Sequence, residues 1–381
     1  MLGFLAVFAV IGLIWGVPLL HLRGKDLSAY DIPLDASMSS DPPSEANAEV
    51  HAWAAGMSTS MARGTPKQRL SSLRKYMDDL GEEAVFKGSI IPVDTARVKG
   101  EWLLAPGADS SRRLLYIHGG GWMIGSPGSH RTITCKYATM TGCAVFAVDY
   151  RLLPEHKRIA GIQDCREAYQ WILDNGPEGP APTSELYVSG DSAGGNLSLS
   201  VVAWARDQGL RLPNAVVALG PATDATFSSP SFLHNAHTDP MLGPVFSLLP
   251  RLPLFLRFWI AWIFKRIHPC DPAISPAAGD LSGLPPILIH ASEAEMLLDD
   301  SRRYVNKARA SGSPVTLQLW PHMVHVWHIF EHKLPEARHA FEEIGKFIER
   351  HSDSNNVFGS GGGRCCGETL PASERSRGLL T

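Results

Sequence analysis

Hydrophobic and polar positions alternate with a different period in each part of this chain, and the changes of period divide it into segments. Positions 1–20 carry no charged side chain and are followed by His21, Arg23 and Lys25. Such a stretch just spans a hydrocarbon core of roughly 30 Å, so an N-terminal membrane anchor over residues 1–22 is expected. A cleaved signal peptide is the rival reading, but a basic n-region and a clear small-residue cleavage site are missing. Arg23 and Lys25 favour the cytoplasmic side for the folded part, with the orientation left open. Residues 26–49 are rich in Asp, Ser, Pro and Ala, which suits an exposed linker, set at 23–50.

A helical stretch then covers about 48–80, and strand-like segments at 88–93 and 98–104 suggest an antiparallel start to a sheet. From position 113 short apolar runs alternate with amphipathic stretches. The runs at 114–118, 144–148, 186–189, 215–219, 287–290 and 315–320 predict strands; 163–175, 192–207, 297–310 and 335–350 predict helices. Alternation of this kind implies an α/β fold with a mostly parallel central sheet flanked by helices. Between 219 and 287 lies an insertion whose centre, 241–267, is apolar and aromatic but interrupted by Arg251, Arg257, Lys265 and Arg266. It predicts a helical cap that covers the sheet edge, or that also dips into a bilayer beside the anchor. The expected layout is one folded domain over 51–351, with cap segments at 51–85 and 225–275. A glycine-rich tail without periodicity, 352–381, is expected to be disordered.

Composition narrows the function classes. With 381 residues, 44% hydrophobic and 19% charged, the chain can bury a full core. Its 35 basic and 38 acidic residues leave a formal charge of -3, which gives no reason to expect a nucleic-acid partner. The six cysteines form no C-x-x-C pair and no finger spacing. Four read as small apolar core residues, and adjacent Cys365 and Cys366 sit in the polar tail, open to lipidation or oxidation.

The chemistry centres on Gly190-Asp191-Ser192-Ala193-Gly194, a G-x-S-x-G run at the junction of an expected strand and helix. A sharp turn there forces the serine hydroxyl outward, and the helix N-terminus behind it favours developing negative charge. Alone the pattern is a weak signal. Upstream, His118-Gly119-Gly120-Gly121-Trp122 follows another strand, and consecutive glycines let backbone N–H groups approach a substrate oxygen. Gly119, Gly120, Gly121 and Ala193 are therefore the expected oxyanion donors. A serine nucleophile needs a downstream acid and histidine, in that order. Two loops past strand ends offer them: 291–300, with Glu293, Glu295, Asp299 and Asp300, and 321–328, with His322, His325 and His328.

Taken together, HGGG, YRLLPEH at 150–156, GDSAGGN at 190–196 and DPAISP at 271–276 resemble the hormone-sensitive-lipase-like esterases of the α/β-hydrolase superfamily over about 113–350. The resemblance implies the α/β-hydrolase fold with a helical cap, a catalytic Ser192 and His325, and an acid at Glu295. Here the chain departs from the family, which most often has D-x-L-x-D where this sequence reads Glu295-Met296-Leu297-Leu298-Asp299; Asp299 and Glu293 remain alternatives. Tyr150, Arg151, Glu155, His156 and Asp164 are read as loop-bracing polar groups. Asn196-Leu197-Ser198 matches a glycosylation acceptor but falls in a helix expected to be buried. His328-Ile329-Phe330-Glu331-His332 fits an H-x-x-E-H zinc pattern, which would leave the glycine motifs unexplained. A non-catalytic binding module is a further alternative, since some relatives have lost the histidine; here serine, acid and histidine all persist. The expected activity is serine carboxylic ester hydrolysis through an acyl-enzyme on short- to medium-chain acyl esters, without metal or organic cofactor. A membrane-associated lipase or lipid deacylase is the alternative.

Overall fold

Eight strands assemble where the short apolar runs fall. The computed structural model describes residues 15–39, 41–60, 64–246 and 248–353. Two N-terminal helices, α1 (Glu45–Ser60) and α2 (Pro66–Gly81), precede β1 (Ser89–Asp94) and β2 (Lys99–Leu104). Thr65, in extended conformation, thus interrupts the single helical stretch expected over 48–80, and it caps the second helix with a capping box to Gln68. The order continues with β3 (Asp109–Ile117), α3 (Arg131–Thr141), β4 (Cys143–Val148), α4 (Arg158–Asp174), β5 (Glu185–Asp191) and α5 (Ala193–Asp207). After β6 (Ala215–Leu219) comes the insertion with α6 (Leu254–Lys265), then β7 (Ile287–Ser292), α7 (Leu298–Ala310), β8 (Val315–Trp320) and α8 (Pro335–Arg350).

The sheet order is β1-β2-β4-β3-β5-β6-β7-β8, antiparallel for the first two pairings and parallel from β4 onward. Strands β4, β5, β6 and β7 are buried at every position, as parallel strands covered on both faces must be. One core packs α4, α5 and α7 on one face, with Ile162, Leu197 and Tyr304 among its members. The other packs α3 and α8, with Ile133, Tyr137 and Phe341. Parallel alignment brings the carboxyl ends of β3, β5, β6, β7 and β8 to one edge of the sheet, where the chemistry-bearing loops emerge.

Two terminal expectations need revision, and a third falls mostly outside the described residues. The stretch read as linker is strapped to the fold: Asp31 pairs with Arg303 at 2.7 Å, and residues 36–38 exchange two 2.8 Å backbone hydrogen bonds with Leu319, which covers the β8 edge. Residues 1–14 of the expected anchor lie outside the described residues, and no described helix is long and apolar enough to cross a membrane. Its described end packs on the cap. Trp15 stacks on Phe255 at 4.2 Å, a short turn over Pro18–Leu22 buries Leu22, and Cys270 Sγ donates to the carbonyls of Leu22 and Arg23. The aromatic face of α6 supplies the apolar surface that captures this segment. At the other end Ser352 Oγ and the Asp353 N–H both donate to Glu185, so the ordered fold extends past 351. Residues 354–381, with Cys365 and Cys366, lie outside the described residues.

Candidate active site

The turn from β5 into α5 sets the site. Ser192 sits between strand and helix with φ 52° and ψ -114°, a region that costs a non-glycine residue roughly 1–3 kcal/mol. Its N–H donates to the Leu219 carbonyl at 2.7 Å, which ties the turn to the end of β6. The flanking glycines are required by crowding against β3. A Cβ on Gly190 would stand 2.5 Å from the Ile117 carbonyl oxygen, and one on Gly194 would stand 1.9 Å from it. The hydroxyl is thereby presented at the sheet edge, on the N-terminus of α5.

Ser192 Oγ is 2.8 Å from His325 Nε2, and His325 Nδ1 is hydrogen-bonded to Glu295 Oε2. Glu295 is 1% exposed, and its other oxygen accepts the Ser292 N–H at 2.7 Å. The structure thus brings together Ser192, His325 and Glu295 from the ends of β5, β8 and β7. Burial disfavours protonation of His325, but the Glu295 carboxylate bonded to it outweighs this and holds its pKa above the ordinary imidazole range.

The alternatives are placed elsewhere. Asp299 accepts from the Ser231 N–H at 2.7 Å and pairs with Arg302 at 3.0 Å, while Glu293 is exposed. His322 is exposed and turns its carbonyl toward Asn47 and His51. His328 is buried against His290, Nε2 to Nδ1 at 3.0 Å. The H-x-x-E-H pattern does not converge either: Glu331 pairs with Lys136 and His332 with Glu83. No metal-binding cluster of His, Cys, Asp or Glu occurs among the described residues.

The glycine loop requires one correction. The Gly119 N–H donates to Asp191 Oδ1 at 3.0 Å, so it is committed and unavailable to a substrate oxygen. Gly120, Gly121 and Trp122 all have positive φ, 101°, 61° and 63°, and this curl turns the next N–H groups away from Asp191. Among the described residues the N–H groups of Gly120 and Gly121 have no protein acceptor, and Ala193 opens α5, where the first N–H groups are free of helical partners.

Asp191 occupies the variable position of its motif, yet it joins the two loops. Besides Gly119, it accepts from Tyr116 Oη at 2.6 Å and faces His130 Nε2 at 3.3 Å. Burial raises its pKa, but His130 and these donors prevail and hold the carboxyl below its usual range. Asp239, from the insertion, accepts the Met296 N–H at 2.9 Å and so anchors the loop that carries Glu295. Asp191 binds Gly119 across 72 residues and Asp239 binds Met296 across 57, so neither role can be read from the neighbouring sequence.

The bracing groups hold the loops that frame the site. Tyr150 donates to the His118 carbonyl at 2.9 Å and stacks on its imidazole, whose pKa burial and His130 lower to about 3. Arg151 pairs with Asp164, inside α4, and Glu155 with Arg74 of α2. Asn196 is fully buried, and its amide donates to the carbonyls of Ala222 and Ile274, which leaves no access for a glycan.

Known proteins share this arrangement. Residues 114–329 match the family model described as alpha/beta hydrolase fold. The chain is 35% identical over 278 residues to an acetyl-hydrolase of Streptomyces hygroscopicus, covering 72% of this chain and 88% of that one. It is 36% identical over 230 residues to the carboxylesterase NlhH of Mycobacterium tuberculosis, covering 60% and 70%. Among solved structures, an esterase from the bacterial hormone-sensitive lipase family superposes with a TM-score of 0.68 at 33% identity, covering 82% of this chain and 99% of that one.

Proposed function

The chain belongs to the hormone-sensitive-lipase-like branch of the α/β-hydrolase family and is a carboxylic ester hydrolase, and from this premise we propose that Ser192, His325 and Glu295 carry the reaction on short- to medium-chain acyl esters. The carrying observation is the continuous hydrogen-bonded series from Ser192 Oγ through His325 to Glu295, set beside uncommitted N–H groups. Ser192 Oγ attacks the ester carbonyl carbon while its proton passes to His325 Nε2, and Glu295 stabilises the imidazolium. The N–H groups of Gly120, Gly121 and Ala193 receive the oxyanion, each contributing about 3 kcal/mol. His325 then protonates the departing alkoxide, leaving an acyl-serine. Water, deprotonated by the same imidazole, attacks the acyl carbon; the carboxylic acid leaves and Ser192 regains its proton. A hydrolysis profile over p-nitrophenyl esters of increasing chain length tests this reading. A Ser192→Ala protein should lose the activity; one that keeps wild-type turnover overturns the assignment.

We further propose a membrane-associated setting, with the catalytic domain on the cytoplasmic face. The apolar run at positions 1–20 supports it, and so does the exposed face of α6, where Ile260, Trp262, Ile263 and Phe264 reach solvent beside Trp15 and Leu20. Flotation with anionic vesicles, before and after removal of residues 1–25, tests this. Equal recovery of the full and shortened chains in the protein-only fraction refutes it.

A further inference from the structure

Two cations are buried beside the oxyanion loop, and among the described residues neither forms an ion pair. Trp122 follows Gly121 directly, and its ring lies 4.6 Å from the Arg158 guanidinium and 5.0 Å from the Lys265 ammonium. Lys265 also lies 4.9 Å from the Phe227 ring. Each cation is only 3% exposed. Arg158 reaches Asn196 Oδ1 at 3.2 Å, but its Nε, the Lys265 Nζ and the Trp122 Nε1 have no hydrogen-bond partner among the described residues. The nearby carboxylates are already engaged. Asp224 accepts from Thr226, Ser228 and Arg303, and Asp300 from Ser229 and the Asp224 N–H.

A buried ammonium without a counter-charge is costly, and contact with aromatic faces recovers only about 2 kcal/mol of that cost. Burial, and then the neighbouring Arg158, push the Lys265 pKa down to about 7. Packing alone would be better served by an apolar side chain. The four residues converge from separate parts of the fold: the oxyanion loop, the start of α4, the loop after β6 and the last turn of α6. Two of these parts touch the nucleophile turn. Asn196, the partner of Arg158, lies one turn beyond Ser192 on α5, and Ala222 in the loop after β6 donates to the Ser192 carbonyl at 3.3 Å.

We propose that Lys265 and Arg158 form an anion subsite beside the oxyanion loop, suited to an ester that carries a second, ionised carboxylate, such as the half-ester of a dicarboxylic acid. The proposal rests on the reading of Ser192 as an ester-hydrolysing nucleophile. The three orphaned donors, Lys265 Nζ, Arg158 Nε and Trp122 Nε1, are the groups such a carboxylate needs, and the surrounding aromatic rings keep water from screening the contact.

The test uses the full chain and pH-stat hydrolysis of monoethyl succinate and monoethyl adipate, with the charge on the acyl side, and of acetoxyacetate, with the charge on the alcohol side. Ethyl butyrate and ethyl acetate are the neutral references. In Lys265→Met and Arg158→Met proteins the ratio of kcat/KM for at least one charged ester to its neutral reference should fall at least tenfold, and the ester affected tells which side holds the anion. A second measurement needs no variant: glutarate should inhibit ethyl butyrate hydrolysis competitively, and uncharged glutaramide should not. An unchanged ratio for every charged ester, or glutarate no better than glutaramide, overturns the subsite. Absence of hydrolysis of neutral and charged esters alike overturns the underlying ester-hydrolase reading instead.

Discussion

Replacing Glu295 by glutamine changes one oxygen into an NH2 group, and the surroundings decide which way the amide turns. Glu295 uses one oxygen for the Ser292 N–H and the other for His325 Nδ1. Glutamine has a single acceptor. If its oxygen faced His325, its NH2 would confront the buried Ser292 N–H, and two opposed donors cost about 1–3 kcal/mol. The favoured orientation therefore keeps the oxygen on Ser292 and presents NH2 to Nδ1. Nδ1 must then accept, the imidazole proton moves to Nε2, and His325 can no longer take the proton of Ser192. The analogous loss in serine hydrolases with an aspartate acid is about 10⁴-fold, so Glu295→Gln should lower kcat by roughly 10³–10⁴, or about 4–5.5 kcal/mol of barrier. The pH profile gives a second sign. Activity requires neutral His325 and falls as pH drops through its pKa. Because Glu295 lifts that pKa, the residual activity of the variant should extend to lower pH than in the wild type. Both quantities follow from kcat and kcat/KM for p-nitrophenyl butyrate measured between pH 5 and 9. A loss below tenfold, or a larger loss in Asp299→Asn than in Glu295→Gln, would refute the argument.

Three other outcomes are expected. Gly194→Ala places a Cβ 1.9 Å from the Ile117 carbonyl and 2.5 Å from that of His118, so unfolding in urea should show a loss of about 3 kcal/mol; an unchanged midpoint contradicts the packing argument. Asp191→Asn removes the charge facing His130 and weakens the acceptor for Gly119 and Tyr116. Because the Asp191 pKa is depressed in the fold, its contribution is present above the unfolded carboxylate pKa and is lost as pH falls through the folded value, so the variant's stability should depend less on pH in the acid range, as read from thermal melts at pH 3–6. Removal of residues 1–39 breaks the Asp31–Arg303 pair and uncovers the β8 edge, and should cost about 3 kcal/mol or more and promote aggregation, as followed by melting and light scattering.

What was legible in the chain depended on how local its cause is. Strand positions followed from apolar runs because parallel strands bury both faces, and α8 began and ended where its amphipathic period did, at Pro335 and Arg350. Ser192 was legible because strand, turn and helix are consecutive in sequence. The strap at 31–38 was not, because polar residues bound to Arg303 and to an edge strand look like solvated linker until the partners, some 270 residues away, are in place.

The same distinction explains the reassignment at Gly119. Three successive glycines are equivalent in sequence, and only an acceptor from elsewhere can separate them. Asp191, 72 residues downstream, takes the first N–H, and the curl that follows frees the next two. That commitment has a functional consequence. The oxyanion loop is tied to the residue immediately before the nucleophile, so a displacement of the Ser192 turn carries the loop with it. Attacking oxygen and oxyanion donors are thus held in mutual register by one buried carboxylate, the preorganisation that electrostatic stabilisation of a tetrahedral intermediate requires.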